Sequence, residues 1–64
     1  MKSIAERLKE ARTKKNLSVK DLADTCGVSV SAIQMYECGE RVPRDEVKKR
    51  LAEALEERVQ DLFF

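Results

Sequence analysis

The sequence of 64 residues contains no histidine and no tryptophan, and only two cysteines, two glycines and one proline. Two cysteines without histidine supply too few ligands for a tetrahedral zinc site and too few thiols for a disulfide framework. The missing histidine also leaves serine and cysteine nucleophiles without their usual partner base, and the sequence has no glycine-rich phosphate loop. We therefore expect a binding protein rather than an enzyme, with no metal, cofactor or small-molecule ligand.

Long apolar runs are also absent. No segment approaches the ~18 apolar residues of a membrane span, and residues 1–6 lack the continuous apolar stretch of a secretory signal. The composition, with 42% hydrophobic and 39% charged residues, is too apolar for a disordered tail. We expect a single cytoplasmic domain over residues 1–64, with no membrane partner and with both cysteines reduced.

The net charge of +1 is unevenly distributed. Residues 1–20 hold seven basic and two acidic side chains, residues 21–40 hold none and four, and residues 41–64 hold six of each. The basic first third could contact a polyanion, although a solvated helix face explains the same count.

Apolar residues recur at helical spacing through nearly the whole chain, which predicts an all-α fold. Ser3 and Glu6 form a capping box for a first helix over residues 4–15, which Asn16 ends. The last apolar series recurs every three or four residues without a glycine or proline, at Val47, Leu51, Leu55, Val59 and Leu62. One uninterrupted helix over residues 45–62 is therefore allowed.

Two short helices are predicted in the middle of the chain. Ser18 and Asp21 repeat the capping signal for a second helix of about two turns, which ends at Gly27. Ser29 precedes a third helix over residues 30–38. Two such helices joined by a three-residue turn with glycine are typical of a helix-turn-helix, whose second helix lies in a DNA major groove. Similar helix pairs also occur in proteins that do not bind DNA.

The segment over residues 17–43, LSVKDLADTCGVSVSAIQMYECGERVP, resembles the Cro and phage-repressor (Xre) family of DNA-binding domains. RLKEAR at 7–12 is similar to that family's first helix, and LAEAL at 51–55 with VQDLF at 59–63 to its last two. The resemblance implies a lambda-repressor-like bundle of four to five short helices that binds operator DNA, usually as a dimer. Between the last two helices the family carries glycine, an apolar residue and serine, where this sequence has Glu56-Glu57-Arg58. Either the bend forms without its favoured residues or the two helices merge.

The predicted third helix has two faces on a helical wheel of about 100° per residue. One arc holds Val30, Ser31, Gln34, Met35 and Cys38, and the opposite arc, which we expect in the core, holds Ala32, Ile33 and Tyr36. The resemblance implies base contacts from Val30, Ser31 and Met35, and from Val19 at the start of the second helix. Family members often carry glutamine or arginine there. Val30 and Met35 can instead contact thymine methyl groups, while Ser31 and Gln34 can hydrogen-bond to base edges.

Phosphate contacts are expected around this face. Arg41 and Arg44 match the family's basic loop after the third helix, and Lys20 can add to it or be merely solvated. Backbone N–H groups at the two helix starts can also donate to phosphates, together with Ser18 and Ser29.

Two further features concern assembly. Arg12 and Glu37 match an ion pair that ties the family's first helix to the end of the third. The apolar Leu62-Phe63-Phe64 segment either packs on Ile4 and Leu8 or forms a dimer seam.

We expect a sequence-specific transcriptional regulator, a repressor, that binds a double-stranded DNA operator as a homodimer. The alternative is a protein-interaction module, such as an antitoxin or anti-repressor, that uses the apolar face of the third helix.

Overall fold

Serine caps define the starts of the first three helices. In the computed structural model, which describes residues 2–64, Ser3, Ser18 and Ser29 each accept a hydrogen bond from the backbone N–H three residues later, at 3.2, 3.0 and 3.0 Å. The capping boxes of Ser3 with Glu6 and of Ser18 with Asp21 are both complete, as predicted. These side chains satisfy N–H groups that a helix start otherwise leaves unpaired.

Residues 2–64 form five helices and no strand, which confirms the all-α prediction. The helices are α1 (Ile4–Lys14), α2 (Val19–Cys26), α3 (Val30–Cys38), α4 (Asp45–Leu55) and α5 (Val59–Phe63). α2 packs on α3 and α4, α1 packs on α3 and α5, and α5 also packs on α4. Within the described chain, every helix is too short or too polar to cross a membrane.

The core lies where these five helices meet. Its largest fully buried side chains are Leu8, Leu22, Ile33, Leu51 and Leu55. On α3, Ile33 and Tyr36 are buried and Ala32 is half-buried, whereas Val30, Ser31, Gln34 and Cys38 are exposed and Met35 is half-buried. The two faces predicted from the wheel are therefore confirmed.

The chain bends between α4 and α5, so the predicted option of one helix over residues 45–62 is wrong. Glu56 ends α4 in the left-handed conformation, with φ 54°, which usually selects glycine. The N–H of Glu57 donates to the carbonyl of Ala52 at 2.9 Å and closes the helix end. Lys15 Nζ lies 2.6 Å from the Glu56 carboxylate, and its hydrogen bond lowers the pKa of Glu56.

The bend turns the apolar end of the chain back onto the core. Leu62 and Phe63 are buried in the same cluster as Leu8, with Ile4 packed against it, whereas Phe64 is 76% exposed. The Lys48 ammonium lies 5.6 Å from the centre of the Phe63 ring and 4.9 Å from that of Phe64. Packing within one chain therefore accounts for Leu62 and Phe63 but leaves Phe64 largely in solvent.

The orientation of α3 about its own axis predicts that two substitutions in this helix differ in their effect on stability. Ile33→Ala removes a side chain that is 0% exposed, so we expect the free energy of unfolding to fall by about 2 to 5 kcal/mol. Val30→Ala alters a side chain on the outer face and is expected to leave the melting temperature nearly unchanged. Urea and thermal unfolding of both variants check this, and a larger loss for Val30→Ala would mean that α3 is rolled differently in solution.

Candidate nucleic-acid interface

The turn between α2 and α3 fixes how α3 is presented. Gly27 ends α2 in the left-handed conformation with φ 69°, and the N–H of Val28 donates to the Ala23 carbonyl at 3.1 Å. Val28 packs against the core, and Ser29 then begins α3. A glycine is favoured here because residues with a Cβ rarely adopt this φ. The result is a compact helix-turn-helix with one side of α3 facing outward.

The outer face of α3 offers both apolar and polar groups. Val30 is 39% exposed, and Met35 is half-buried. The side chains of Ser31 and Gln34 are exposed, and no hydrogen bond ties them to another part of the described chain. This face can therefore give apolar contacts and hydrogen bonds to an external partner.

Val19 is less available than the α3 residues. It is the first residue of α2, and its half-buried side chain packs against the core. Only part of its surface therefore faces outward, next to the exposed Lys20.

The two helix starts differ as sites for an anion. At α2, the Asp21 carboxylate accepts from the Ser18 N–H at 3.2 Å, and this bond and the one with the Ser18 hydroxyl lower the pKa of Asp21. A carboxylate thus already occupies this helix start. At α3, Ser29 caps the helix but its first turn contains no acidic residue. The start of α3 is therefore the more favourable of the two for a phosphate.

The loop after α3 carries two arginines that form no ion pair with the residues the structure describes. Gly39 ends α3 with φ 78°, and the N–H groups of Glu40 and Arg41 both donate to the Met35 carbonyl, at 3.0 and 3.4 Å. Arg41 and Arg44 are exposed, and neither forms an ion pair with any described residue. The loop thus presents free positive charge at a position fixed to α3.

An ion pair fixes α3 relative to α1. Arg12 Nε donates to Glu37 Oε2 at 2.7 Å and Arg12 Nη2 to Glu37 Oε1 at 3.1 Å, with the side chains only 12% and 8% exposed. A third donor, Arg12 Nη1, contacts the Leu17 carbonyl at 2.8 Å, just before α2. One guanidinium therefore connects α1, the start of α2 and the end of α3.

One supporting contact was not predicted from the sequence. Arg50 of α4 donates to the Cys26 carbonyl at 3.5 Å and to Glu46 at 2.9 Å, so it covers the C-terminal end of α2 beside Gly27. A basic residue suits that end of a helix, but the pattern of α4 alone gives no sign of this long-range contact.

The two cysteines lie in different environments. Cys26 is buried, which raises the pKa of its thiol, and Cys38 is exposed at the end of α3. Among residues 2–64, no group of three cysteine or acidic side chains is arranged to hold a metal ion.

Removing one partner of the Arg12–Glu37 pair is expected to destabilise the domain. Glu37→Gln leaves the Arg12 guanidinium largely buried without its counter-ion, so we expect the free energy of unfolding to fall by about 3 kcal/mol. Glu10→Gln is the control, because it breaks the exposed Lys2–Glu10 pair, which is worth at most about 1 kcal/mol. Chemical denaturation measures both, and equal losses would contradict the role given to the buried pair.

Comparisons with known proteins agree with this geometry. The helix-turn-helix family model matches residues 8–62. The HTH-type transcriptional repressor RghR of Bacillus subtilis (strain 168) is 43% identical over 56 residues, covering 86% of this chain and 42% of that protein. The chain thus spans about two fifths of the length of this relative. The crystal structure of the restriction-modification controller protein C.AhdI from Aeromonas hydrophila has a TM-score of 0.89 and 35% identity, covering 94% of this chain and 91% of that one. The chain belongs to the helix-turn-helix family, in the Cro and phage-repressor (Xre) branch that its sequence resembles.

Proposed function

We propose that this domain is a sequence-specific DNA-binding transcriptional repressor that reads the major groove of an operator with α3. The observation that carries the proposal is the outward face of α3. It lies between a helix start whose first turn has no acidic residue and a loop whose two arginines form no ion pair with a described residue. That arrangement supplies base-reading groups and phosphate-binding groups side by side, as groove recognition requires. The repressor named among its relatives supports the direction of regulation.

Direct readout falls to the exposed face of α3. Val30 and Met35 contact thymine methyl groups, and Ser31 and Gln34 exchange hydrogen bonds with base edges. Val19 adds a contact from the start of α2, limited by its packing against the core.

Phosphate contacts fix the duplex against this face. Arg41 and Arg44 bind the backbone on one side of α3, and Lys20 adds positive charge near α2. The N–H groups at the start of α3 and the Ser29 hydroxyl donate to a phosphate. Ser18 contributes through its hydroxyl, because its N–H already donates to Asp21.

The working form is a cytoplasmic homodimer that binds without catalysis or cofactor. Two copies related by a two-fold axis would place their α3 helices in successive major grooves, about 34 Å apart along the duplex. The operator is then expected to be a palindrome of two half-sites.

Selection of bound sequences from a random duplex pool at moderate salt tests the proposal. A palindromic consensus, bound with an affinity that falls steeply with ionic strength, is the expected result. Recovery of no preferred sequence would contradict it and favour a protein-interaction module that uses the apolar face of α3.

The loop arginines are expected to act on all duplexes alike. Arg41→Ala and Arg44→Ala should each weaken binding to specific and scrambled duplexes by similar factors and reduce the salt slope by about one. Arg58→Ala, between α4 and α5 and paired with Asp61 at 2.9 Å, is the matched control and should leave both quantities unchanged. Competition binding at two salt concentrations decides the matter, and a changed sequence preference in either loop variant would refute the assignment to phosphates.

The apolar readers are expected to detect single thymine methyl groups. Replacing one contacted thymine by uracil deletes only that methyl, which costs roughly 1 kcal/mol or a few-fold in affinity. The loss should disappear in Val30→Ala or Met35→Ala, depending on the position. Titration of the selected operator with uracil at each thymine measures it, and indifference to uracil at every position would show that this face does not read methyl groups.

A further inference from the structure

Tyr36 has a buried ring but an unused hydroxyl. Its side chain belongs to the core cluster, on the opposite side of α3 from Ser31. Within residues 2–64 the hydroxyl makes no hydrogen bond, and yet no buried side-chain oxygen or nitrogen lacks a partner. The hydroxyl oxygen must therefore reach solvent. Because a tyrosine hydroxyl ordinarily finds a partner when its ring is buried, this one is free to donate to a group outside the chain.

The surface around Tyr36 is the surface of the arginine loop. Tyr36, Arg41, Val42, Arg44 and Val47 line an open cleft of about 510 Å³. Tyr36, Arg41 and Val42 also line a smaller cleft of about 260 Å³ against the start of α1. Tyr36 and Arg41 border both openings, and Arg41 has no ion-pair partner in the described chain.

We infer that Tyr36, Arg41 and Arg44 form one phosphate subsite, in which the Tyr36 hydroxyl donates a hydrogen bond to a backbone phosphate of the operator. The inference rests on the proposed function and names a further residue that positions the duplex. The arginines supply charge, and the phenol supplies a neutral donor with a fixed direction, because its ring is held in the core. Phosphate contacts carry no sequence information, so Tyr36 contributes to affinity and register rather than to base preference.

Tyr36→Phe removes the hydroxyl and keeps the ring. Since the hydroxyl makes no hydrogen bond within residues 2–64, the melting temperature is expected to stay unchanged. Affinity should fall about three- to tenfold on the selected and the scrambled duplex alike, the net effect of losing one typical hydrogen bond. The salt slope should match that of the wild type because no charge is lost, whereas Arg41→Ala lowers the slope by about one.

A second measurement identifies the phosphate and separates contact from stability. Single phosphates of the operator are replaced by neutral methylphosphonates, and binding of the wild type and of Tyr36→Phe is compared at each position. At the contacted phosphate, the replacement should cost the variant less than it costs the wild type, by the same three- to tenfold factor. A loss of folding stability would lower all affinities equally and would produce no such coupling.

The outcomes distinguish this inference from the function on which it rests. Equal binding of Tyr36→Phe and the wild type to every duplex would overturn the subsite while leaving DNA binding intact. A uniform loss with no coupling to any phosphate would overturn it as well. If the wild type binds no duplex at all, the proposed function fails, and the subsite fails with it.

Discussion

The roll of α3 about its own axis is the constraint on which the rest of the structure depends. Ile33 is fully buried and Tyr36 almost so, and each residue of a helix turns by about 100°. Burying these two side chains directs Ser31 and Gln34 outward, whatever lies outside. Glu37 falls at the edge between the two faces, where Arg12 binds it at 2.7 Å and links the roll of α3 to the position of α1. The outer face is thus set by packing before any partner arrives.

The charge pattern takes on a different meaning once these contacts are known. The middle third of the chain carries four acidic side chains and no basic one. The net charge of this segment, taken alone, argues against a polyanion partner. Two of the four are engaged, however. Glu37 is neutralised by Arg12, and Asp21 serves the cap of α2. Just beyond α3 lie Arg41 and Arg44, which form no ion pair with a described residue. For DNA, therefore, the position and pairing of charges matter more than the net value.

Local chemistry could be predicted from the sequence, and long-range geometry could not. The serine caps and the end of α2 at Gly27 depend on a few neighbouring residues, so their patterns sufficed. The sequence does not decide whether the chain bends at Glu56, because the apolar residues of the last third fit one long helix as well as two short ones. What decides it is the packing of Leu62 and Phe63 on the core, which outweighs the cost of a left-handed glutamate.

At the candidate interface, too, the sequence predicts local features but not long-range geometry. A helical wheel predicts the direction of each Cβ, and it separated the inner and outer residues of α3 correctly. It does not predict where a long side chain ends. The Tyr36 ring is in the core as expected, but Tyr36 also lines the cleft of the arginine loop, and the half-burial of Val19 depends on how α2 packs. Phe64 is apolar like its neighbours yet points into solvent.

An apolar reading face places a particular demand on the rest of the interface. Contact with one thymine methyl is worth roughly 1 kcal/mol, which is less than the ~1 to 3 kcal/mol of a bidentate contact from arginine or glutamine. The energy of an apolar contact also falls steeply if the helix shifts, because it depends on close packing rather than on directed bonds. In the proposed complex, specificity therefore requires that phosphate contacts on either side of α3 hold the helix at one fixed position in the major groove. The Arg12–Glu37 pair and the anchoring of Arg41 to the Met35 carbonyl supply that rigidity within the protein.

Since weak methyl contacts leave room for other sources of discrimination, the sequence-dependent shape of the duplex between the two half-sites would contribute a larger share of operator preference than in relatives with polar readers.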